Sequence, residues 1–594
     1  MDVVQNEGPF SIVLRTAWGG SWRRFSQPHH VVIAREPARV PDALAEVDAA
    51  VRDGSYAAGF VTYEAAAGFG LPVREPDTRL PLVCFGLFNE HGIENLARLP
   101  PASAGALGEW TPSVDHDQYM RAIGEIKDRI AAGDTYQINY TFRLTAPFSG
   151  DPAAIMHDLQ AAQAGHWSAY IDLGDYVICS ASPELFFNLE GARLTCRPMK
   201  GTWPRGFWPA QDAERGKELR RSAKNRAENV MIVDMTRNDL GRVAETGSVR
   251  PVSLFDVERY PLQWQMTSTV EASAEDPSLV TLFAGMFPCG SITGAPKHSS
   301  MGVIRELEST PRGIYTGAIG YLSPGGRGHF NVAIRTVVFD RGAGRAEFGV
   351  GSGVVWDSVD LDEYEECLLK ARMLGAARVA SGGAASYVVA DPPGFQLLEA
   401  LLWTPARGFV RIDAHLTRLR GSAECFGFLC DTAEIRSLLN AAVEDLRGPA
   451  KLRILLEHDG SVLCEAIDLL RLKEPRRIAL AAEPVDRHDV FLYHKTTNRG
   501  VYERARASRP EADAVILWND VGEVADATDS NVVIRRGGVK ITPPIECGLL
   551  PGIERAKLLA SGEIVESRIT KAELERAEEI WLINSVRGWM KAEL

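Results

Sequence analysis

The chain has 594 residues, and 65 Lys plus Arg against 78 Asp plus Glu leave a formal charge of −13. Over that length the acidic excess is mild, so it offers neither the basic footprint that nucleic acid requires nor a polybasic patch for anionic lipid. A composition of 45% hydrophobic and 24% charged residues is that of a globular protein, and it excludes disordered, collagen-like and coiled-coil architectures.

In chain order, the opening stretch MDVVQNEGPF has no basic segment followed by an apolar core, so it does not read as a secretory signal. The first hundred residues carry YEAAAGFG and few other assignable motifs, and are expected to complete an N-terminal fold. YMRAIGEIKDRIAAG has apolar residues at helical spacing, with Gly133 placed to end the helix. YVICSA reads as a strand, and SPELFF just beyond it sets Glu184 directly after a proline. RPMKGT then fixes Lys200 between Pro-Met and Gly-Thr. A desolvated lysine in such a setting could act as nucleophile or base, because burial lowers an ammonium pKa; the hexapeptide alone favours a solvated turn lysine.

AKNRAENVMIVDMTRNDL reads as a helix in which Glu228 precedes an apolar run, and DEYEECLLKARML as a helix with Glu363, Glu366 and Lys370 on one face. Carboxylates facing each other from two helices would suit Mg²⁺, which takes one or two protein carboxylates together with substrate oxygens and water. A surface Glu–Lys ladder has the same spacing and, on spacing alone, stays ahead. Between these helices lie FPCGSITGAPK with Thr293, GIYTGAIG with Tyr315, and NVAIRT with Arg335. Their glycines permit close backbone approach to a ligand, and the arginine can fork onto a carboxylate. AEFGVGSGVVW reads as a strand; its GVGSG, which includes Gly353, lacks the third glycine spacing and the following helix of a dinucleotide loop.

SGGAAS followed by DPPG marks a boundary, giving units of 1–378 and 393–594 joined by a linker over 379–392. Both units mix α and β elements, and neither repeats the other. In the second, HLTRL brings Arg418 and HKTTNRGVY places Lys495 among small polar residues that a strand could present. DAVILW reads as a strand, GEVADATDSN supplies Asp526 and Asn531, and VVIRR-GG-VKIT forms a hairpin around Gly537-Gly538. LPGIERAKLL turns into a helix whose free amides at Gly552 and Ile553 could hold a phosphate. A lysine, an acid to pair a pyridine nitrogen and a phosphate cradle are what pyridoxal phosphate requires, although a surface lysine and a turn aspartate describe the separate parts as well. The nine cysteines are odd in number and form no CxxC, which argues against a disulfide framework or structural zinc. No stretch approaches the roughly eighteen apolar residues of a membrane helix. The expected location is the cytoplasm, with neither nucleic acid nor membrane as partner.

In this order DTYQINYT, SPELFF, PMKGT, AENVMIVDMTRNDLGRV, GSITGAPK, YTGAIGY, NVAIRT, GSGVVWDS and EYEECLLKA resemble the chorismate-utilising enzymes over nearly all of residues 110–375. The resemblance implies one large α/β fold that performs a Mg²⁺-dependent substitution on chorismate. It implies Glu228 and Glu366 as metal ligands with Glu363 nearby. Arg335, Tyr315 and the backbone around Gly353 would clamp the substrate carboxylates, with Thr293 and Lys370 beside them. Arg335, Lys200 and Lys370 would invert the acidic charge locally for a dianionic substrate. Anthranilate synthases of this family carry alanine in the PMKGT patch, whereas aminodeoxychorismate synthases carry lysine. Likeness to the latter implies that Lys200 attacks C2 of the ring while Glu184 protonates the departing 4-hydroxyl. One departure is Gln265, in LQWQMTST, where many relatives have histidine.

The patches of the second unit resemble the fold-type IV pyridoxal-phosphate enzymes over roughly 395–590. That resemblance implies Lys495 as the lysine that carries the cofactor, and Arg418 with the Gly552–Ile553 amides as phosphate ligands. It also implies Asn531 as a site-shaping residue and Asp526, where the family usually has glutamate, as partner of the pyridine nitrogen. The two resemblances together imply a bifunctional enzyme that makes 4-amino-4-deoxychorismate and eliminates pyruvate from it, giving 4-aminobenzoate for folate synthesis. No patch resembles the nucleophilic-cysteine elbow of a glutamine amidotransferase, so ammonia is expected from a separate amidotransferase subunit or from solution. Dimerisation through the second unit is implied by analogy. Competing readings join an anthranilate-type synthase to a branched-chain or D-amino acid aminotransferase, or leave the C-terminal half catalytically decayed.

Overall fold

A computed structural model describes residues 10–16, 21–163, 165–261, 263–358, 360–371, 394–469 and 472–594. They divide into two units, one of residues 10–204 and 215–371, the other of 394–594 together with Arg205–Glu214. The expected linker over 379–392 lies outside the described residues. The end of the DEYEECLLKARML helix does so as well, the described helix being Asp360–Ala371.

The first unit is built on two large antiparallel sheets, of eleven and ten strands. The first hundred residues contribute to both. Strands Ser11–Arg15, Trp22–Ser26 and Ile93–Leu96 extend the larger sheet, and His30–Ala34, Tyr56–Val61 and Val83–Phe88 extend the smaller. Ile12, Ile171 and Ile178 of the larger sheet share one buried cluster with Phe60, Phe88 and Ile319 of the smaller, so each sheet covers an apolar face of the other.

Helices follow the patterns read in the sequence. His116–Ala131 begins with a capping box between Asp115 and Gln118, and buries Tyr119, Ala122, Ile123 and Ile126 at helical spacing. Gly133 follows its end at φ +82, the left-handed position at which such a helix stops. Ala223–Leu240 is capped by the Ser222 hydroxyl and buries Asn229, Ile232 and Val233. Asp239 and Leu240 are buried in the same helix.

In the second unit a four-stranded sheet includes Leu397–Thr404, Ala450–Leu456 and Val462–Asp468. Leu397, Leu401, Leu452 and Ile454 of this sheet pack against Leu416 and Leu419 of helix Ile412–Phe426 and Ile435 and Leu439 of helix Thr432–Val443. An eight-stranded sheet, partly parallel, holds the remainder. Its hairpin Asn531–Arg536/Val539–Thr542 turns through Gly537 and Gly538, both at positive φ as a two-residue turn demands. All nine cysteines are free, and among the described residues no helix is long and apolar enough to cross a membrane.

Candidate active sites

Lys200 lies not in a solvated turn but in strand Met199–Pro204, at a register shift in its pairing with Gln263–Ser273. Its side chain is 27% exposed, with Nζ 3.7 Å from Glu228 Oε2. A Cβ added at Gly353 would stand 3.2 Å from the same Nζ. Glu228 comes from helix Ala223–Leu240 and Gly353 from strand Arg345–Val354, so distant stretches of sequence converge here. Glu366 completes the group: desolvation would raise its carboxyl, but Lys370, then Lys200 and Arg335, hold it below the usual carboxylate range.

Glu184 precedes strand Leu185–Glu190 and is 4% exposed. Burial lifts its carboxyl to about 7, while Ser291 Oγ, donating to Oε1 at 2.7 Å, pulls the other way. A carboxyl about half protonated near neutrality has the chemistry of a general acid. Its rate contribution should therefore fall as pH rises through about 7. In Ser291→Ala, which removes a bond favouring the charged form, that falling limb should move to higher pH; pH–rate profiles of the two proteins check this, and a limb that stays in place contradicts the assignment.

Arg335 stands at φ +54 and donates from Nη1 to the Lys370 carbonyl at 3.3 Å; burial lowers its guanidinium to about 10. Lys370 Nζ lies 2.6 Å from Glu366 Oε1 and donates to Gly351 O at 2.8 Å. Tyr315 is buried against Gly349, its ring capped by the Arg143 guanidinium at 5.0 Å. Thr293 is buried and donates to Cys289 O at 3.1 Å, so its hydroxyl ties its own loop together. Glu363 accepts a hydrogen bond from Ser352.

Among the described residues no three His, Cys, Asp or Glu side chains form a cluster that could hold a metal. Glu228 and Glu366 are both partly exposed, with Lys200 beside the first and acting on the second, and a pair of carboxylates joined by substrate oxygens and water is a donor set whose chemistry suits Mg²⁺.

In the second unit Lys495 sits on an extended segment rather than in a strand, with Leu398 N donating to its carbonyl at 2.9 Å. Burial, followed by Arg418, lowers its ammonium to about 8. Arg418 forks onto Glu399 at 2.7 and 2.9 Å and donates to Pro551 O at 3.1 Å, beside the Gly552–Ile553 turn. Asp526 is buried, which lifts its carboxyl to about 7; it accepts from Asn531 Nδ2 at 3.0 Å and from Leu550 N at 3.1 Å. Gly552 caps helix Ile553–Ala560 without a side-chain cap of its own. A Cβ there would fall 1.9 Å from Asn531 Oδ1. A partly buried lysine with a depressed ammonium, a buried acid held in place by donors, and uncapped amides beside an arginine fit pyridoxal phosphate. Gly552→Ala should push Asn531 off Asp526 and weaken cofactor retention roughly tenfold, measured by equilibrium dialysis; unchanged retention would contradict the cradle.

Sequence reading did not single out Ser291, Ser352, Asn229 or Glu399, which touch the candidate residues only through the fold. Arg499 and Tyr502 did lie within the HKTTNRGVY patch. Arg499 packs over the Tyr502 ring at 4.5 Å, and Tyr502 lies in the field of Asp526, which links the Lys495 segment to the acid.

Residues 12–375 match the family described as chorismate binding enzyme, and residues 396–593 that described as amino-transferase class IV. An aminodeoxychorismate synthase from Streptomyces griseus is 42% identical over 262 residues, covering 44% of this chain and 36% of that protein. An anthranilate synthase component 1 from Thermus thermophilus is 37% identical over 290 residues, covering 48% of this chain and 62% of that protein. The chain thus spans only 36% and 62% of these two relatives' lengths. Among solved structures, the menaquinone-specific isochorismate synthase MenF from Escherichia coli aligns with a TM-score of 0.50 at 16% identity, over 63% of this chain and 91% of that one. At that identity the likeness establishes the fold alone.

Proposed function

The chain belongs to the chorismate binding enzyme family, and from that premise we propose that its first unit replaces the 4-hydroxyl of chorismate with an amino group. The product, 4-amino-4-deoxychorismate, then loses pyruvate in the second unit to give 4-aminobenzoate, a folate precursor. The observation that carries this reading is Lys200, the only ammonium placed between Glu228 and the Gly353 backbone among the described residues. Relatives of similar identity include both aminodeoxychorismate and anthranilate synthases, and the lysine is what favours the first reading.

The Lys200 amine nitrogen bonds to C2; the ring double bonds shift and the C4–O bond breaks. Glu184 gives its proton to the departing hydroxyl, which leaves as water. Ammonia bonds to C4, the double bonds return, and the C2–N bond breaks to restore the amine. The extra proton on the new amino group resets Glu184. Arg335 and Lys370 orient the substrate carboxylates against the backbone at Gly353. Glu228 and Glu366 would hold Mg²⁺, which when bound neutralises carboxylate charge.

In the second unit Lys495, Asp526, Arg418 and the Gly552–Ile553 amides would hold pyridoxal phosphate, which when bound supplies an electron sink. Lys495 takes the proton from C4 and returns one to the departing enolpyruvyl group. Ammonia comes from a separate glutamine amidotransferase subunit or from solution.

Incubating the full chain with chorismate, ammonium, Mg²⁺ and pyridoxal phosphate should yield 4-aminobenzoate and pyruvate in equal amounts. Accumulation of 4-amino-4-deoxychorismate without pyruvate would defeat the lyase assignment, and anthranilate as product would defeat the synthase assignment.

A further inference from the structure

The strand pair that carries Lys200 leaves two backbone carbonyls outside its ladder, and a buried side-chain amide takes each of them. Met199 pairs with Thr267 and Thr202 with Gln265, so the register shift spans Lys200 and Gly201. Such a bulge re-aims a side chain out of the sheet's alternation and leaves backbone groups to be satisfied elsewhere. Lys200 O accepts from Asn229 Nδ2 at 3.1 Å, and Gly201 O from Gln265 Nε2 at 2.9 Å. Both amides are themselves held. Asn229, 1% exposed, accepts on Oδ1 from Ser268 Oγ at 2.6 Å; Gln265, 6% exposed, accepts on Oε1 from Gln263 Nε2 at 3.2 Å. Gly201 stands at φ +102, a backbone that disfavours any other residue, so the bulge is built into the sequence.

We propose that Asn229 and Gln265 are positioning residues for chorismate amination: by bracing the two bulge carbonyls they fix Lys200 Nζ between Glu228 and Gly353, an assignment that rests on Lys200 being the reacting amine. Asn229 adjoins Glu228, so one helix presents the carboxylate 3.7 Å from Nζ and also pins the lysine's own backbone. Both braces bond to backbone carbonyls of the bulge. Gln265 occupies the position where the family resemblance expects histidine, and its amide donates to the carbonyls of Gly201 and Met266, at 2.9 and 3.3 Å. An amide does not titrate, so this side chain holds a backbone and carries no proton. Losing either donor leaves a buried carbonyl unsatisfied and frees the bulge to relax. A shift of about 1 Å in a reacting group costs on the order of 10²-fold in rate.

The test uses the full chain with chorismate, ammonium and Mg²⁺, comparing Asn229→Ala, Ser268→Ala, Gln265→Glu and Lys200→Ala with the unaltered protein. For Asn229→Ala and Gln265→Glu, kcat should fall roughly 10- to 100-fold while KM for chorismate stays within about twofold and Tm within a few degrees. Ser268→Ala keeps the Asn229 donor but loosens it, and a loss of roughly threefold is expected. Gln265→His, whose ring N–H can reach the same carbonyl, should recover most of kcat. Unaltered kcat in Asn229→Ala and Gln265→Glu, with Lys200→Ala impaired, would overturn the positioning role alone. Parallel losses in kcat, KM and Tm without rescue by histidine would reduce it to a structural role and overturn it too. If Lys200→Ala keeps the wild-type rate and product, the functional reading itself falls.

Discussion

Replacing Lys200 with alanine is expected to slow formation of 4-amino-4-deoxychorismate by at least about 10²-fold, equivalent to about 2.7 kcal/mol of barrier. The same change is expected to alter which carbon is aminated. Lys200 Nζ stands between Glu228 and the Gly353 backbone and is the group that would bond to C2. With that amine removed, C2 lies open to ammonia, and the same displacement of the 4-hydroxyl would place nitrogen at C2. Residual turnover should therefore carry a growing share of 2-amino product. Chromatography of product mixtures at matched conversion measures both effects. Glu184 and Ser291 are untouched by the change, so the pH limb assigned to the general acid should persist in whatever activity remains. An unchanged rate with only 4-amino product would remove Lys200 from the covalent path.

Much of the architecture could be read from patterns with short-range physical causes. The apolar spacing in His116–Ala131, the Gly133 stop and the Gly537-Gly538 turn each act within a few residues, so their elements appeared where the sequence placed them. The order of motifs brought Lys200, Glu228, Glu366, Arg335 and Gly353 onto one list, and the fold sets Lys200 against Glu228 and Gly353 and in the field of Glu366. What escaped reading depends on tertiary placement. Asn229 looks like a polar interruption in an apolar helix until the bulge at Lys200 arrives beside it. Gln265 looks like a missing histidine until its amide is seen on Gly201 O. Glu399 sits in an ordinary strand pattern, and only the packing of helix Ile412–Phe426 brings Arg418 and His415 to it. Strand Leu397–Thr404 gives no local sign of an acid whose carboxyl is held low: burial raises it, and Arg418 with His415 overrides that. Nor could spacing foresee that Arg205–Glu214 would belong with residues of the second unit.

Lys495→Ala in the full chain should stop pyruvate release, by a factor on the order of 10²–10⁴, while amination of chorismate continues and 4-amino-4-deoxychorismate accumulates. Burial, with Arg418 adding to it and Glu399 opposing, brings the Lys495 ammonium down to about 8 from its ordinary 10.5. Half of the side chains are then neutral near pH 8, against well under 1% for an ordinary lysine. Only the neutral amine can bond to an aldehyde or accept a proton, so this depression makes Lys495 competent close to physiological pH. The sign fixes the profile: a base with a lowered pKa gains activity as pH rises toward about 8 and levels off above it. A readout apart from turnover is available, because the unaltered chain with pyridoxal phosphate should show a visible absorption band that Lys495→Ala lacks. Glu399→Gln supplies the complementary check. It removes the carboxylate that opposes the depression, so the rising limb of pyruvate release should move to lower pH. Wild-type pyruvate release from Lys495→Ala, or a limb in Glu399→Gln displaced to higher pH, would contradict the electrostatic account of this site.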